Sequence, residues 1–147
     1  MKLAVLQMVS TGVLSDNLRQ ARSLLERAAH EGAELAVLPE YFCLIGNHDA
    51  DKLAIQETFG AGPIQDFLAE AARSLGLWVE GSTLPLSAST SDRVYNSTLV
   101  FDPQGACVAR YDKIHLFRFD NGRESYDESR VLAPGLEPVV FELPAQD

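Results

Sequence analysis

The stretch Leu-Ala-Val-Leu-Pro-Glu-Tyr-Phe (35–42) decides the fold, because an apolar run of strand length meets a proline and then, at once, a carboxylate. Pro39 has no amide proton to give to a strand ladder, so the strand ends there. Glu40 is thereby placed at the carboxyl end of a buried strand, where open α/β sheets usually carry their chemistry. A carboxylate in such a loop can also be a plain solvated acid, so position alone makes Glu40 a candidate and no more.

A β-α-β unit is predicted around this strand. Residues 3–8 form a short apolar run typical of a buried strand. Ser15 and Asp16 offer oxygens that can cap a helix, and apolar residues then recur at helical spacing until Gly32. Two strands joined through a helix are expected to run parallel, with a right-handed crossover.

A second helix and strand repeat the pattern. Pro63, directly after Gly62, is typical of the first helical position. The apolar stripe that begins there closes at Gly76, and residues 77–82 are predicted to form the third strand.

The rest of the chain is predicted to extend the sheet. Residues 94–102 and 106–111 flank Pro-Gln-Gly (103–105), a turn signal typical of a β-hairpin. Residues 112–137 read as irregular and polar, and residues 138–143 are predicted to be a final strand. The expected fold class is therefore α/β, with a mixed sheet and two helices on one face. The other face needs a cover, which we expect from a second sheet in the rest of a longer chain or in a partner.

The composition predicts one globular domain and narrows its partners. A chain of 147 residues with 46% apolar content is about one domain with a real core. A net charge of −9 repels phosphates, which argues against nucleic acid and membrane surfaces as partners, although the same acidity can simply serve solubility. The opening residues lack the features of a signal peptide, and no apolar run approaches the ~20 residues of a membrane span.

Three further polar residues are candidates for the site. Lys113 follows the second hairpin strand and alone would be interpreted as an ordinary surface lysine. Beside a carboxylate it becomes a candidate, because a fixed ammonium can stabilise an oxyanion. Glu128 is a second carboxylate, although its acidic surroundings also fit a solvated loop made with Asp120, Glu124 and Asp127. His115 is expected to be a structural, hydrogen-bonding histidine and not a base.

The two cysteines, Cys43 and Cys107, do not read as a disulfide scaffold, so a reducing cytoplasm is the expected location. Cys43 lies three residues past Glu40, and a thiol beside a base can be a nucleophile. Adjacency in an irregular loop does not make two side chains face each other, however, and buried cysteine is commonly a small hydrophobe. Cys107 falls within a predicted strand, where a packed side chain is expected.

Four segments, in this order and spacing, resemble the nitrilase, or carbon–nitrogen hydrolase, superfamily. They are Leu-Pro-Glu-Tyr (38–41), Tyr-Asn-Ser (95–97), Tyr-Asp-Lys-Ile-His-Leu-Phe (111–117), and Glu-Ser (128–129) followed by Pro-Gly (134–135). The resemblance runs from Lys2 to Leu143. Among branches the chain looks most like the Nit-type amidases, which act on ω-amides of 2-oxo acids, such as 2-oxoglutaramate or deaminated glutathione.

The resemblance implies an α-β-β-α sandwich and a Glu-Lys-Cys triad. It makes Glu40 the general base, Lys113 the oxyanion stabiliser, and Glu128 an additional carboxylate that helps to position substrate and lysine. The implied reaction is thiol attack on an amide carbon, loss of ammonia, and hydrolysis of the thioester by water that Glu40 activates. No metal or organic cofactor is implied. The implied partner is a small-molecule amide, and a homodimer is expected once the fold is completed.

The chain departs from the family pattern at the nucleophile. In the family that cysteine follows the strand after the Pro-Gly turn, in a segment like Gly-x-x-x-Cys-Tyr-Asp, and neither Cys43 nor Cys107 occupies that position. Residues 1–147 are therefore expected to be the amino-terminal part of such a domain, half of the sandwich, with the carboxy-terminal part missing and no activity alone. The alternative is a non-catalytic interaction or assembly module that binds through its uncovered sheet face. A relocated Cys43 nucleophile is disfavoured, because a triad depends on geometry.

Overall fold

A mixed six-stranded sheet organises residues 1–90 and 92–144, which are the residues described by this computed structural model. In chain order the elements are β1 (Leu3–Val5), α1 (Leu14–His30), β2 (Leu35–Val37), α2 (Asp51–Ala54), α3 (Pro63–Leu75), β3 (Trp78–Ser87), β4 (Val94–Phe101), β5 (Cys107–Asp112), β6 (Arg118–Asp120), β7 (Ser125–Asp127), a 3₁₀ turn (Glu128–Arg130) and β8 (Leu132–Ala133). Among these described elements, no helix is long and apolar enough to cross a bilayer.

The strand order confirms the predicted mixed α/β sheet. β1, β2 and β3 run parallel, with Leu3 opposite Leu35 and Leu35 opposite Trp78. β3, β4 and β5 then run antiparallel, and β8 adds a short parallel pairing to β4. The parallel β-α-β unit and the hairpin around residues 103–105 are therefore confirmed.

The start of α1 differs from the prediction. The helix begins at Leu14 after Val13, so Ser15 and Asp16 lie inside its first turn and the prediction that they cap it was wrong. The reason is the buried side chain of Asn17, whose Oδ1 accepts the amide of Thr11 at 2.8 Å and whose Nδ2 donates to the Cys43 carbonyl at 2.8 Å. Those bonds fix the entering loop and set the helix start.

The predicted ends of α3 are confirmed. Pro63 is in the first turn, and Gly76 adopts a left-handed φ of 64° that ends the helix. A side chain from outside the helix supplies the cap: the buried carboxylate of Glu57 accepts the amides of Ile64 at 2.5 Å and Gln65 at 3.1 Å. A negative charge at the amino end of a helix is stabilising, so Glu57 anchors α3 to the sheet.

Both long helices pack on one face of the sheet, as predicted. Leu25 of α1, Leu68 of α3 and Leu99 of β4 belong to one buried cluster. The absence of a side chain at Gly81 lets α3 approach β3 closely, because a Cβ there would lie 2.4 Å from Leu68 Cδ1. β3 runs to Ser87, beyond the predicted residue 82, because the ladder with β4 resumes at Leu84 after a register shift.

The opposite face of the sheet is open at its parallel edge. Leu3 and Val5 are 51% and 76% exposed. Residues 138–143, all within the described part of the chain, form no strand, so the predicted final strand was wrong. This segment contacts the face through side chains instead, with the ring of Phe141 stacked on Trp78 at 6.5 Å. Most of the segment is exposed, with Val140 at 89%, so its apolar pattern corresponds to neither a ladder nor full burial.

The segment 112–137 is more ordered than predicted. β6 and β7 pair as an antiparallel hairpin, which Gly122 closes with a left-handed φ of 78°. The side chains of Asp120 and Asn121 accept backbone amides within that turn. The hairpin leads directly into the 3₁₀ turn, so it fixes the approach of Glu128 to the sheet.

Candidate active site

Glu40 lies at the carboxyl end of β2, as the sequence predicted. The last ladder bond joins the Leu38 amide to the Glu80 carbonyl at 2.9 Å, and the chain then turns, with the Phe42 amide bonded to the Pro39 carbonyl at 3.1 Å. Tyr41 adopts a φ of 57°, a left-handed conformation that is uncommon for a residue other than glycine. The Glu40 side chain remains 49% exposed, so a small molecule can reach it.

Lys113 is held at the end of β5 by backbone bonds on both sides. Its amide donates to the Asn96 carbonyl at 2.9 Å, and its own carbonyl accepts the Gly135 amide at 2.9 Å. Gly135 is needed for this approach, because a Cβ there would lie 2.0 Å from the carbonyl oxygen of Asp112. The Lys113 side chain is 24% exposed, and its Nζ lies 3.0 Å from Glu40 Oε1 and 3.0 Å from Glu128 Oε2.

Glu128 is an anchored carboxylate and not part of a solvated acidic loop. Its side chain is 15% exposed. Besides Lys113, it accepts hydrogen bonds from the Phe117 amide at 2.7 Å and from the Tyr41 hydroxyl at 3.0 Å. Its own amide donates to the Phe117 carbonyl at 3.0 Å, which fixes the backbone as well. The structure therefore brings together Glu40, Lys113 and Glu128, the three predicted site residues.

The electrostatics keep Lys113 and Glu128 charged. Partial burial works against the ammonium of Lys113, but the hydrogen bonds and charges of Glu40 and Glu128 outweigh it and raise the pKa of Lys113. Burial likewise works against the Glu128 carboxylate, but donation from Phe117, Lys113 and Tyr41 lowers its pKa. Burial first, and then the Glu128 charge, raise the pKa of Tyr41, so this phenol stays a neutral donor.

Two residues of the site were not singled out by the sequence. Asn96 is 2% exposed and donates its side-chain amide to Glu40 Oε1 at 2.9 Å. Tyr41 reaches across to Glu128. Both lie within the segments that carried the family resemblance, and that was the available signal. Without that resemblance, an asparagine within a strand and a tyrosine after a turn would be interpreted as residues that only stabilise the fold.

The cysteines are not placed as nucleophiles. Cys43 is 1% exposed, as predicted, and its thiol donates to the Thr83 carbonyl at 3.4 Å. Burial raises the pKa of Cys43 to about 12, so the reactive thiolate is suppressed. Cys107 is exposed, so the prediction that its side chain is packed was wrong. Cys107 begins the edge strand β5, whereas Lys113 follows the other end of that strand.

The placement of His115 differs from the prediction. His115 is exposed, and none of the hydrogen bonds within residues 1–90 and 92–144 involves its ring, so the predicted structural hydrogen bond was wrong. Within the same residues, no group of three His, Cys, Asp or Glu side chains is arranged to hold a metal ion.

Comparison with known sequences decides the family. Residues 2–145 match the sequence profile of the carbon–nitrogen hydrolase family. The chain belongs to this family. This carbon–nitrogen hydrolase is 31% identical to the omega-amidase of Homo sapiens over 144 aligned positions, which cover 97% of the chain and 51% of that protein. It is 35% identical to the deaminated glutathione amidase of Yersinia enterocolitica over 147 aligned positions, which cover 97% of the chain and 50% of that protein.

Solved structures agree with that assignment. The carbon–nitrogen hydrolase chain superposes on the NitFhit protein of C. elegans with a TM-score of 0.78 at 28% sequence identity, covering 93% of this chain and 34% of that one. These similarities place it in the Nit-type branch of the nitrilase superfamily and confirm the α/β fold. The chain spans about half the length of the curated relatives it matches.

Proposed function

We propose that this carbon–nitrogen hydrolase chain carries the glutamate and lysine of an amidase site. In this proposal Glu40 is the general base, Lys113 stabilises the oxyanion, and Glu128 holds the lysine and helps to orient the substrate. The supporting observation is the position of Lys113 Nζ, 3.0 Å from a carboxylate oxygen of each glutamate. An ordinary surface lysine is not expected to lie between two carboxylates that come from other parts of the chain.

The geometry suits the proton transfers of amide hydrolysis. Glu40 is exposed enough to take the proton of an attacking thiol and to return it to the departing ammonia. Lys113 is fixed and charged before substrate arrives, so it can stabilise the oxyanion without reorganising. After ammonia leaves, Glu40 takes a proton from the water that attacks the thioester and returns it to the departing thiol as the C–S bond breaks. Glu128 stays ionised throughout, because its donors hold it.

The proposed substrates are small amides whose acyl part carries a carboxylate, namely ω-amides of 2-oxo acids or deaminated glutathione. Support comes from the relatives, which are an omega-amidase and a deaminated glutathione amidase. The proposed acyl specificity is therefore inferred from the similarity to these two relatives.

The thiol of the proposed mechanism comes from outside residues 1–147. Cys43 is closed off from solvent and bonded to a carbonyl, and Cys107 begins the edge strand that ends before Lys113. We therefore expect the pure 147-residue chain to release no ammonia from 2-oxoglutaramate. A hybrid, in which the chain is joined to the part of the Yersinia enterocolitica amidase that it does not align with, is expected to release ammonia. Release by the unjoined chain would contradict this part of the proposal.

A second candidate function is a non-catalytic assembly module, which the open sheet face favours. Leu3 and Val5 lie on parallel β1 with 51% and 76% of their surface exposed. A module of this kind would form a stable assembly of defined mass in light scattering, and Val5→Lys would dissociate it. Under the amidase proposal the same face is the contact to the rest of the domain, so Val5→Lys would instead abolish the activity of the hybrid.

A further inference from the structure

Asn96 touches two of the three candidate catalytic residues at once. Its side-chain Nδ2 donates to Glu40 Oε1 at 2.9 Å, and its backbone carbonyl accepts the amide of Lys113 at 2.9 Å. Asn96 is itself 2% exposed and sits on β4, in the interior of the sheet between β3 and β5. It is therefore the most rigidly mounted side chain that contacts Glu40.

The contacts of Glu40 are unevenly divided between its two oxygens. Oε1 accepts both Lys113 Nζ at 3.0 Å and Asn96 Nδ2 at 2.9 Å. Oε2 accepts no hydrogen bond from the residues that the structure describes. A lysine ammonium is a point charge on a flexible stem and does not fix the plane of a carboxylate, whereas a buried planar amide gives direction to the bond.

We propose that Asn96 is a positioning residue, which orients the Glu40 carboxylate so that Oε1 stays with Lys113 and Oε2 is the oxygen that exchanges the proton. This inference rests on the proposed role of Glu40 as the base. The S–H bond of the attacking thiol breaks as an O–H bond forms on Oε2, and Oε1 keeps its two donors throughout. An amide suits this position because it donates and cannot take the proton. An aspartate at 96 would place a second carboxylate against Glu40, where like charges oppose ionisation.

The hold of Asn96 on Glu40 can be measured without catalysis, by three-bond NMR couplings that report the χ1 and χ2 rotamers of Glu40 in the 147-residue chain, because these two torsions set where the carboxylate is held. We expect one rotamer in the parent chain and averaged couplings in Asn96→Leu and Asn96→Ser. Ser97→Ala is the matched control: it removes a buried hydrogen bond of the neighbouring residue, from Ser97 Oγ to Asp112 at 2.6 Å, and should leave the Glu40 couplings unchanged. A role for Asn96 in stability alone would lower the melting temperature of its variants and leave Glu40 fixed. Unchanged couplings in the folded Asn96 variants would overturn the inference.

A second measurement leaves Asn96 intact and so does not depend on the folding of its variants. In Glu40→Ala the side-chain amide protons of Asn96 should shift upfield and exchange faster with water, because their acceptor is gone. Unchanged amide signals would overturn the inference as well. Failure of the proposed function can be told apart from failure of this inference. A folded hybrid that hydrolyses no amide would refute the catalytic role of Glu40, but it would not change the finding that Glu40 holds one rotamer.

Discussion

Lys113 holds two carboxylates together, so its replacement by methionine should destabilise the chain in a pH-dependent way. Methionine keeps the length of the aliphatic stem and removes the cation. Glu128 is 15% exposed, and losing a charged hydrogen bond at such a site costs about 1.5–3 kcal/mol. Glu40 is 49% exposed, so solvent screening limits its share to about 0.2–1 kcal/mol. The expected loss at pH 7 is therefore about 2–4 kcal/mol in the free energy of unfolding.

The sign of the pH dependence follows from the two shifted groups. The pKa of Glu128 is lowered in the folded chain, so its contribution is present above the unfolded value of about 4.3 and is lost as the pH falls through the folded pKa. The pKa of Lys113 is raised, so its contribution is present below about 10.4 and is lost as the pH rises through the folded pKa. The difference between parent and variant should be flat between those values and should shrink on either side.

Urea unfolding followed by circular dichroism, at several pH values from 3 to 11, measures this difference. Arg27→Met is the control, because Arg27 and Glu31 form an ion pair with side chains 72% and 64% exposed, and its loss should cost less than about 0.5 kcal/mol. A Lys113→Met variant as stable as the parent at pH 7 would refute the reasoning. So would a loss that stays constant down to pH 3.

Three further predictions concern the frame around the site. Gly135→Ala should destabilise the chain by about 1–3 kcal/mol in urea unfolding, because the added Cβ would lie 2.0 Å from a carbonyl oxygen. The control, Gly12→Ala, should be nearly neutral, because the nearest atom to its Cβ is 3.9 Å away. Equal effects of the two substitutions would contradict the packing at Gly135. Glu57→Ala should cost about 1–3 kcal/mol by uncapping α3, and a loss below the error of the measurement would refute that cap. In a thiol-alkylation assay at pH 8, Cys107 should react and Cys43 should stay protected until the chain is unfolded; fast labelling of native Cys43 would contradict its burial and raised pKa.

The elements that the sequence predicted well are those with local causes. Pro63 and Gly76 define the ends of α3 through their own backbone preferences, and Pro39 ends β2 for the same reason. The start of α1 failed, because it depends on Asn17, whose side chain bonds to a carbonyl 26 residues away. A local pattern does not contain that contact.

The residues of the candidate site also differ in whether a local pattern could place them. Glu40 could be placed from the strand it follows, and Lys113 from the hairpin before it. Asn96 could not, because its function depends on a hydrogen bond to a residue 56 positions away in the chain. The final strand predicted over residues 138–143 failed because an apolar run can pack by its side chains alone, as Phe141 does on Trp78.

The most direct test of the proposed site is the effect of Glu40→Gln on ammonia release by the hybrid with the Yersinia enterocolitica amidase. Glutamine keeps the size of the side chain and an oxygen that can accept from Lys113 and Asn96, but it lacks the carboxylate charge and cannot accept the proton. We expect kcat to fall by about 10²–10⁴-fold, with circular dichroism unchanged. Glu124→Gln, which changes an exposed carboxylate in the β6–β7 hairpin turn, is expected to keep the parent rate. A folded Glu40→Gln hybrid that released ammonia at the parent rate would contradict the assignment of Glu40 as the base.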